Sequence, residues 1–261
     1  MELVGVRKEA KETGMPTRGL MTLIGDSKSG KTTLAAAFPG SYVLELEKNR
    51  GDRIKNARIH DIDNLADFGE VLQLAVAAED IKVIVIDSVD QIAKWMADEI
   101  AQANGCEFIG QAEKGKADPR TLWGEFGIRV RGLVDYLKDS GKLVILVAHR
   151  RMAKMDDKNK ITTPAGINVS GQGGDYIAQQ STMIGFLDVR EIGGKSTHFL
   201  SFRGESNRAI WRSGIDELQD KEIIITKADP YGSFAAAFKT PETKPAPTLK
   251  PEPAKAAAKK K

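Results

Sequence analysis

GDSKSGKT, residues 25–32, sits between the apolar run LMTLI, 20–24, and the segment KTTLAAAF, 31–38. It meets the pattern G-x-x-x-x-G-K-[ST] at every fixed position. An apolar strand, a glycine-rich turn and a helix in that order predict a phosphate cradle. The helix start offers unpaired N–H groups and the positive end of its dipole to an anion. Gly25 and Gly30 permit a close backbone approach, Lys31 is placed to reach β and γ phosphates, and Thr32 to hold Mg²⁺ through its hydroxyl. The expected nucleotide contacts are Gly25, Asp26, Ser27, Lys28, Ser29, Gly30, Lys31, Thr32 and Thr33, with a nucleoside triphosphate and Mg²⁺ as ligands.

Three later segments bring polar groups to strand ends. IKVIVIDSVD, 81–90, carries four aliphatic residues into Asp87, at the edge where open α/β sheets collect ligands. Asp87 is the expected second metal residue, and Ser88 or Asp90 the expected cap of the next helix. SYVLELE, 41–47, delivers Glu45 and Glu47 to that edge, where a carboxylate can polarise water against a γ phosphate. Glu47, further out, is the preferred base and Glu45 the alternative. KLVILVAHRRM, 142–152, ends a further buried strand at His149, a candidate contact to the γ phosphate that reports its presence to the following segment.

Short apolar strands alternating with amphipathic helices predict an α/β fold, a mostly parallel sheet with helices on both faces. Strands are expected at 20–24, 41–45, 57–60, 83–87 and 143–148, and helices at 31–38, 66–78, 91–103 and about 122–138. Beyond Met183 the runs IGFLDVRE, STHFLSFRG and KEIIITKA follow one another with no long helix between them, which predicts an antiparallel extension. The expected organisation is an N-terminal extension at 1–16, one domain at 17–239 and a tail at 240–261. Five of the ten prolines lie in the last 21 residues, with almost no large apolar side chains, so the tail is expected to be disordered.

The chain of 261 residues carries a net charge of +3, but seven Lys against two Glu from Lys239 onward leave the preceding part slightly negative. Polyanion binding by the body must therefore come from local patches. The single cysteine, Cys106, rules out an internal disulfide and reads as a small buried hydrophobe. No apolar run of membrane-spanning length occurs, and MELVGVRKEAKETG has no apolar signal segment, so a cytoplasmic location is expected.

Taken together, the phosphate loop, a Glu after the second strand, an Asp after VIVI and AHRRM after a further strand resemble the core of the RecA-like recombinase ATPases. In that family the last motif is commonly NQIRM, from which His149 departs at the usual Gln. The short chain, with no separate DNA-binding domain, is most similar to the phage core-only members that act in single-strand annealing and recombination. The likeness covers roughly residues 17–237, and only 25–32 is specific by itself.

The resemblance implies an ATP-hydrolysing protein with Lys31, Glu47 and His149 as catalytic residues and Thr32 and Asp87 at Mg²⁺. It also implies an oligomer with ATP between subunits, completed by a basic residue from the neighbour. FRGESNRAIWR, 202–212, offers Arg203, Arg208 and Arg212, with Arg208 nearest the family position. The mobile DNA-entering loop of the family corresponds to MDDKNKITTPAGINVSGQGGD, 155–175, whose Gly, Asn, Ser, Thr and Pro also predict a long flexible loop. Lys158, Lys160, Asn168 and Gln172 are its candidate contacts to single-stranded DNA. GQAEKGKADPR, 110–120, with Lys114, Lys116 and Arg120, is a second candidate.

Trp95, Trp123 and Trp211 lie in amphipathic patterns and read as core or interface residues, so stacking platforms for bases are scarce. DNA recognition would be backbone-directed and salt-sensitive, with a single-strand-binding protein as a further possible partner. FAAA, 234–237, resembles the Phe-x-x-Ala docking element of some relatives, and the basic tail suits a tether. The competing readings are a nucleotide-gated protein-docking module with slow or no hydrolysis and a small-molecule kinase. The kinase needs an arginine-bearing lid, and 155–175 contains no Arg.

Overall fold

The computed structural model describes residues 14–47, 54–111, 117–204 and 209–239. Its first half alternates strand and helix: β1 (Gly19–Gly25), α1 (Lys31–Ala36), β2 (Ser41–Glu45), β3 (Ile59–Asp61), α2 (Leu65–Ala77), β4 (Val83–Asp87), α3 (Val89–Ala103), α4 (Pro119–Asp139) and β5 (Leu143–Arg151). The second half holds β6 (Lys154–Met155), β7 (Ile161–Thr163), β8 (Gly166–Ile167), α5 (Gly173–Gln180), β9 (Met183–Ile192), β10 (Lys195–Ser201), β11 (Arg212–Ser213), β12 (Glu222–Ile225) and α6 (Pro230–Ala235).

The main sheet runs β12-β10-β9-β1-β5-β4-β2-β3. From β3 through β9 the neighbours are parallel, and β10 and β12 add antiparallel strands at the far edge. This is the expected α/β architecture with a mostly parallel centre and an antiparallel C-terminal side. β5 lies between β1 and β4, so the strand carrying His149 separates the phosphate-loop strand from the Asp87 strand.

Alternation along each strand sorts the core into two layers. Leu20, Ile24, Leu44, Ile84, Ile86, Val144 and Leu146 face one side with α2 to α5. Met21, Leu23, Val43, Val83, Val85, Ile145 and Val147 face the other, against Leu34 and Phe38 after β1 and Phe234 of α6. Both faces of the central strands are buried, which accounts for their continuous apolar runs. Cys106 is buried as expected.

Phe234 is fully buried and packs at 5.6 Å from Phe38 and 5.3 Å from Phe238. The expected docking role of FAAA is therefore corrected: its aromatic anchor fills this chain's own core. Phe234→Ala is expected to lower the free energy of unfolding by about 3–5 kcal/mol, read from urea denaturation. A loss under about 1 kcal/mol would contradict that core role.

The expected long loop at 155–175 is also corrected. It contains the β6–β7 hairpin, then β8 and the start of α5. Ile167 and Val169 are buried, and β8 pairs antiparallel with the end of β5 at Arg150 and Arg151. Two apolar anchors in a polar stretch were enough to return the chain to the sheet. α4 starts earlier than its apolar periodicity suggests, because the Asp118 side chain accepts from the Arg120 N–H and Pro119 opens the helix. The tail, 240–261, lies outside the described residues, as do most of residues 1–16.

Candidate active site

β1 ends at Gly25, between β5 and β9, and the loop that follows turns directly into α1. A Cβ on Gly25 would stand 2.5 Å from the Leu187 carbonyl oxygen, so only glycine fits there. Gly30, at φ 98°, occupies the left-handed region that glycine enters without strain. Lys31 is buried and folded back over the loop, its Nζ donating to the carbonyls of Gly25 at 2.9 Å and Asp26 at 2.8 Å. The Thr32 hydroxyl donates to Asp87 Oδ2. Ser29 Oγ is buried without a hydrogen-bond partner among the described residues, a polar atom suited to an incoming ligand.

A cleft of about 930 Å³ opens over this loop. The loop and α1 line it from Ser27 to Ala37, joined by Ile54 and Lys55, by Asp87, and by Lys227, Ala228 and Pro230. Lys227 is a cleft residue that sequence reasoning missed. The only signal was a lysine following EIIIT, and no local pattern brings it opposite α1. The antiparallel turn from β12 to α6 does so, with Asp229 capping α6 through the Gly232 N–H.

The polar strand ends converge beside the cleft. Glu45 is buried, in register with Asp87 on β4 and Asp61 on β3. Glu47, two residues on, is more open, and its Oε1 accepts from the Ser88 hydroxyl at 2.6 Å. His149 Nδ1 lies 2.7 Å from Asp90 Oδ2 and 3.7 Å from Glu47 Oε1. Asp90 Oδ1 also accepts from the His149 backbone N–H at 3.1 Å. Because Asp90 holds both the backbone and the ring, the imidazole orientation is fixed with the proton on Nδ1. The expectation that Ser88 or Asp90 would cap α3 is corrected: Ser88 stands at the N-cap, but its hydroxyl serves Glu47, and Asp90 serves His149.

A family profile described as AAA domain matches residues 18–210, most of the chain, with the glycine-rich loop and the polar strand ends but not Lys227, Ala228 and Pro230. The chain belongs to the AAA domain family. Among solved structures, the AAA domain chain is similar to the KaiC-like protein PH0186 from the hyperthermophilic archaeon Pyrococcus horikoshii OT3. The two share 18% identity at a TM-score of 0.45, over 83% of this chain and 89% of that one. No curated protein matches. The AAA domain identifies a P-loop ATPase domain, and the matched residues include the glycine-rich loop at 25–32.

Within this AAA domain, the predicted residues Lys31, Thr32, Asp87, Glu47 and His149 line one continuous edge of the parallel strands. Lys158 and Lys160 are exposed in the β6–β7 turn, where their backbone N–H groups donate to Asp156 Oδ1. Asn168 sits at the base of the same excursion, its N–H donating to the His149 carbonyl at 3.1 Å, and Gln172 stands at the start of α5. Arg120 is exposed at the start of α4, while Lys114 and Lys116 lie outside the described residues.

Arg203 is exposed and donates to the Asp220 carbonyl, Arg212 is exposed on β11, and Arg208 lies outside the described residues. Trp95 packs against the core, Trp211 stacks on Phe186 at 4.4 Å, and Trp123 meets Phe126 edge-on at 5.6 Å. Among the described residues, no helix is long and apolar enough to cross a membrane.

Proposed function

We propose that this chain hydrolyses ATP with Mg²⁺ and uses its nucleotide state to control a contact to single-stranded DNA, in phage-type recombination or strand annealing. One observation carries the reading: Thr32–Asp87, Glu47–Ser88 and His149–Asp90 form adjoining hydrogen-bonded pairs at neighbouring strand ends, beside the phosphate loop. A hydroxyl and a carboxylate in direct contact make an all-oxygen donor set that fits Mg²⁺. When bound, Mg²⁺ neutralises charge on the β and γ phosphates.

Each residue then has a defined task. Lys31 exchanges two loop carbonyls for phosphate oxygens, a charge-assisted contact that outweighs neutral ones. Glu47 orients water, with Ser88 fixing its carboxylate. His149 conveys the result. Its carbonyl holds Asn168 and its strand runs into the β6–β7 hairpin, so a shift at His149 moves both ends of that excursion. The exposed Lys154, Lys158 and Lys160 supply positive charge for a DNA backbone. In the assembled form ATP lies between subunits, with Arg208 donated by the neighbour.

The test is the ATPase rate of the full chain with and without single-stranded DNA, over a salt series. Stimulation that weakens with salt is expected. Replacing Lys154, Lys158 and Lys160 together by Ala is expected to reduce the slope of log affinity against log salt by about 2. An unchanged slope would reject the hairpin as the DNA contact. A second reading, a nucleotide-gated docking module for a protein partner, is favoured by Met152 and Met155, both exposed beside the same lysines. ATP binding with neither DNA binding nor stimulation at low salt would select it.

A further inference from the structure

Arg150 follows His149 on β5 and reaches back across β1, its Nη2 lying 2.8 Å from Asp26 Oδ2 in the phosphate loop. Its guanidinium stands over the Phe186 ring at 5.4 Å, and Phe186 is itself stacked on Trp211. An aromatic floor of this kind orients the cation without neutralising it. Arg150 Nε is buried with no hydrogen-bond partner among the described residues, so the fork is incompletely used.

The partner is unusual for its position. A carboxylate in a loop that receives polyphosphate repels the ligand, and Asp26 is 60% exposed, so its ion pair with Arg150 is screened by water and readily exchanged. The carbonyl of the same Asp26 accepts from Lys31 Nζ at 2.8 Å. Asp26 thus lies between the ammonium that takes the β and γ phosphates and a second, arginine cation.

We propose that Arg150 is a γ-phosphate ligand supplied within the same chain, held on Asp26 until a triphosphate binds and then transferred to the terminal phosphate. This rests on the ATP-binding reading above. A guanidinium fork matches phosphate oxygens in a bidentate manner and gains more from a dianion than from one exposed carboxylate. Arg150 is also the residue whose backbone pairs with Ile167 in β8. Its transfer therefore acts on the base of the hairpin, next to the action of His149.

The experiment measures the affinities of AMPPNP and ADP by calorimetry for the full chain and for Arg150→Ala, Arg150→Lys and Asp26→Asn, together with turnover. Arg150→Ala is expected to lower the preference for AMPPNP over ADP about tenfold while ADP affinity stays within about threefold. Its turnover is expected to fall about a hundredfold or more. Asp26→Asn frees the guanidinium and is expected to raise the triphosphate preference. Arg150→Lys keeps a cation near Asp26 without the fork, and is expected to retain only part of the preference. It serves as the readout if the alanine variant does not fold.

Equal losses for ADP and AMPPNP in Arg150→Ala, reproduced by Asp26→Asn, would overturn the proposal and leave a merely structural ion pair. An unchanged ratio in the Arg150 variants would also overturn it, with ATP binding intact. Failure of the unmodified chain to bind either nucleotide would instead remove the ATP-binding reading, and this inference with it.

Discussion

Lys31→Ala is expected to abolish turnover, lowering it by about a hundredfold to a thousandfold or beyond, and to weaken nucleotide binding by a comparable factor. The amine is buried against the carbonyls of Gly25 and Asp26, a position that Lys28, Lys55 and Lys227, which also line the cleft, do not share. Lys28 is exposed in the turn of the loop, Lys55 follows β2, and Lys227 lies between β12 and α6. The fold should tolerate the change. Removing the amine leaves two carbonyls at the rim of an open cleft, where water can satisfy them, a cost of about 1–3 kcal/mol at most. Fluorescent-nucleotide titration and phosphate release measure the effect, with thermal unfolding as the control. Turnover within tenfold of the unmodified chain would reject the assignment of this loop as the catalytic nucleotide site.

Glu47→Gln is expected to keep ATP affinity and lose turnover by about a hundredfold to ten-thousandfold. The amide has the shape of the carboxylate and still offers an oxygen to the Ser88 hydroxyl, so the geometry persists while the charge that polarises water is lost. Glu45→Gln is the discriminating comparison. Glu45 lies buried between Asp61 and Asp87 in the strand register, whereas Glu47 is more open and meets His149 at 3.7 Å. A loss of turnover confined to Glu45→Gln would move the catalytic base to the strand. Unchanged turnover in Glu47→Gln alone would reject its proposed role.

Much of the fold was legible because the central strands are buried on both faces. β2 and β4 fall at the expected 41–45 and 83–87, since short apolar runs, YVL and VIVI, that end in an acidic residue leave little freedom of assignment. β3 and the segment at 155–175 were harder to read. β3 has three residues at the sheet edge and carries a weak apolar signal. The 155–175 segment is polar by composition, yet Ile167 and Val169 tie it to β5 and the layer above. Composition averages over such anchors, so the loop looked longer and freer than it is.

By itself, the sequence determined the glycine-rich turn between β1 and α1, the acidic strand end at Asp87 and the α/β alternation, because each depends on residues adjacent in the chain and on fixed backbone periodicities. Only the tertiary structure decided how the remaining groups meet. Asp90 turned from a presumed helix cap into the partner of His149, and Ser88 into the partner of Glu47. Lys227 came to face the phosphate loop, and Arg150 came to rest on Asp26. These pairs join residues 41 to 124 positions apart, or walls formed by distant turns, and they follow from strand order. Placing β5 between β1 and β4 brings His149 and Arg150 to opposite sides of the same loop edge, a consequence of sheet topology that no local spacing encodes.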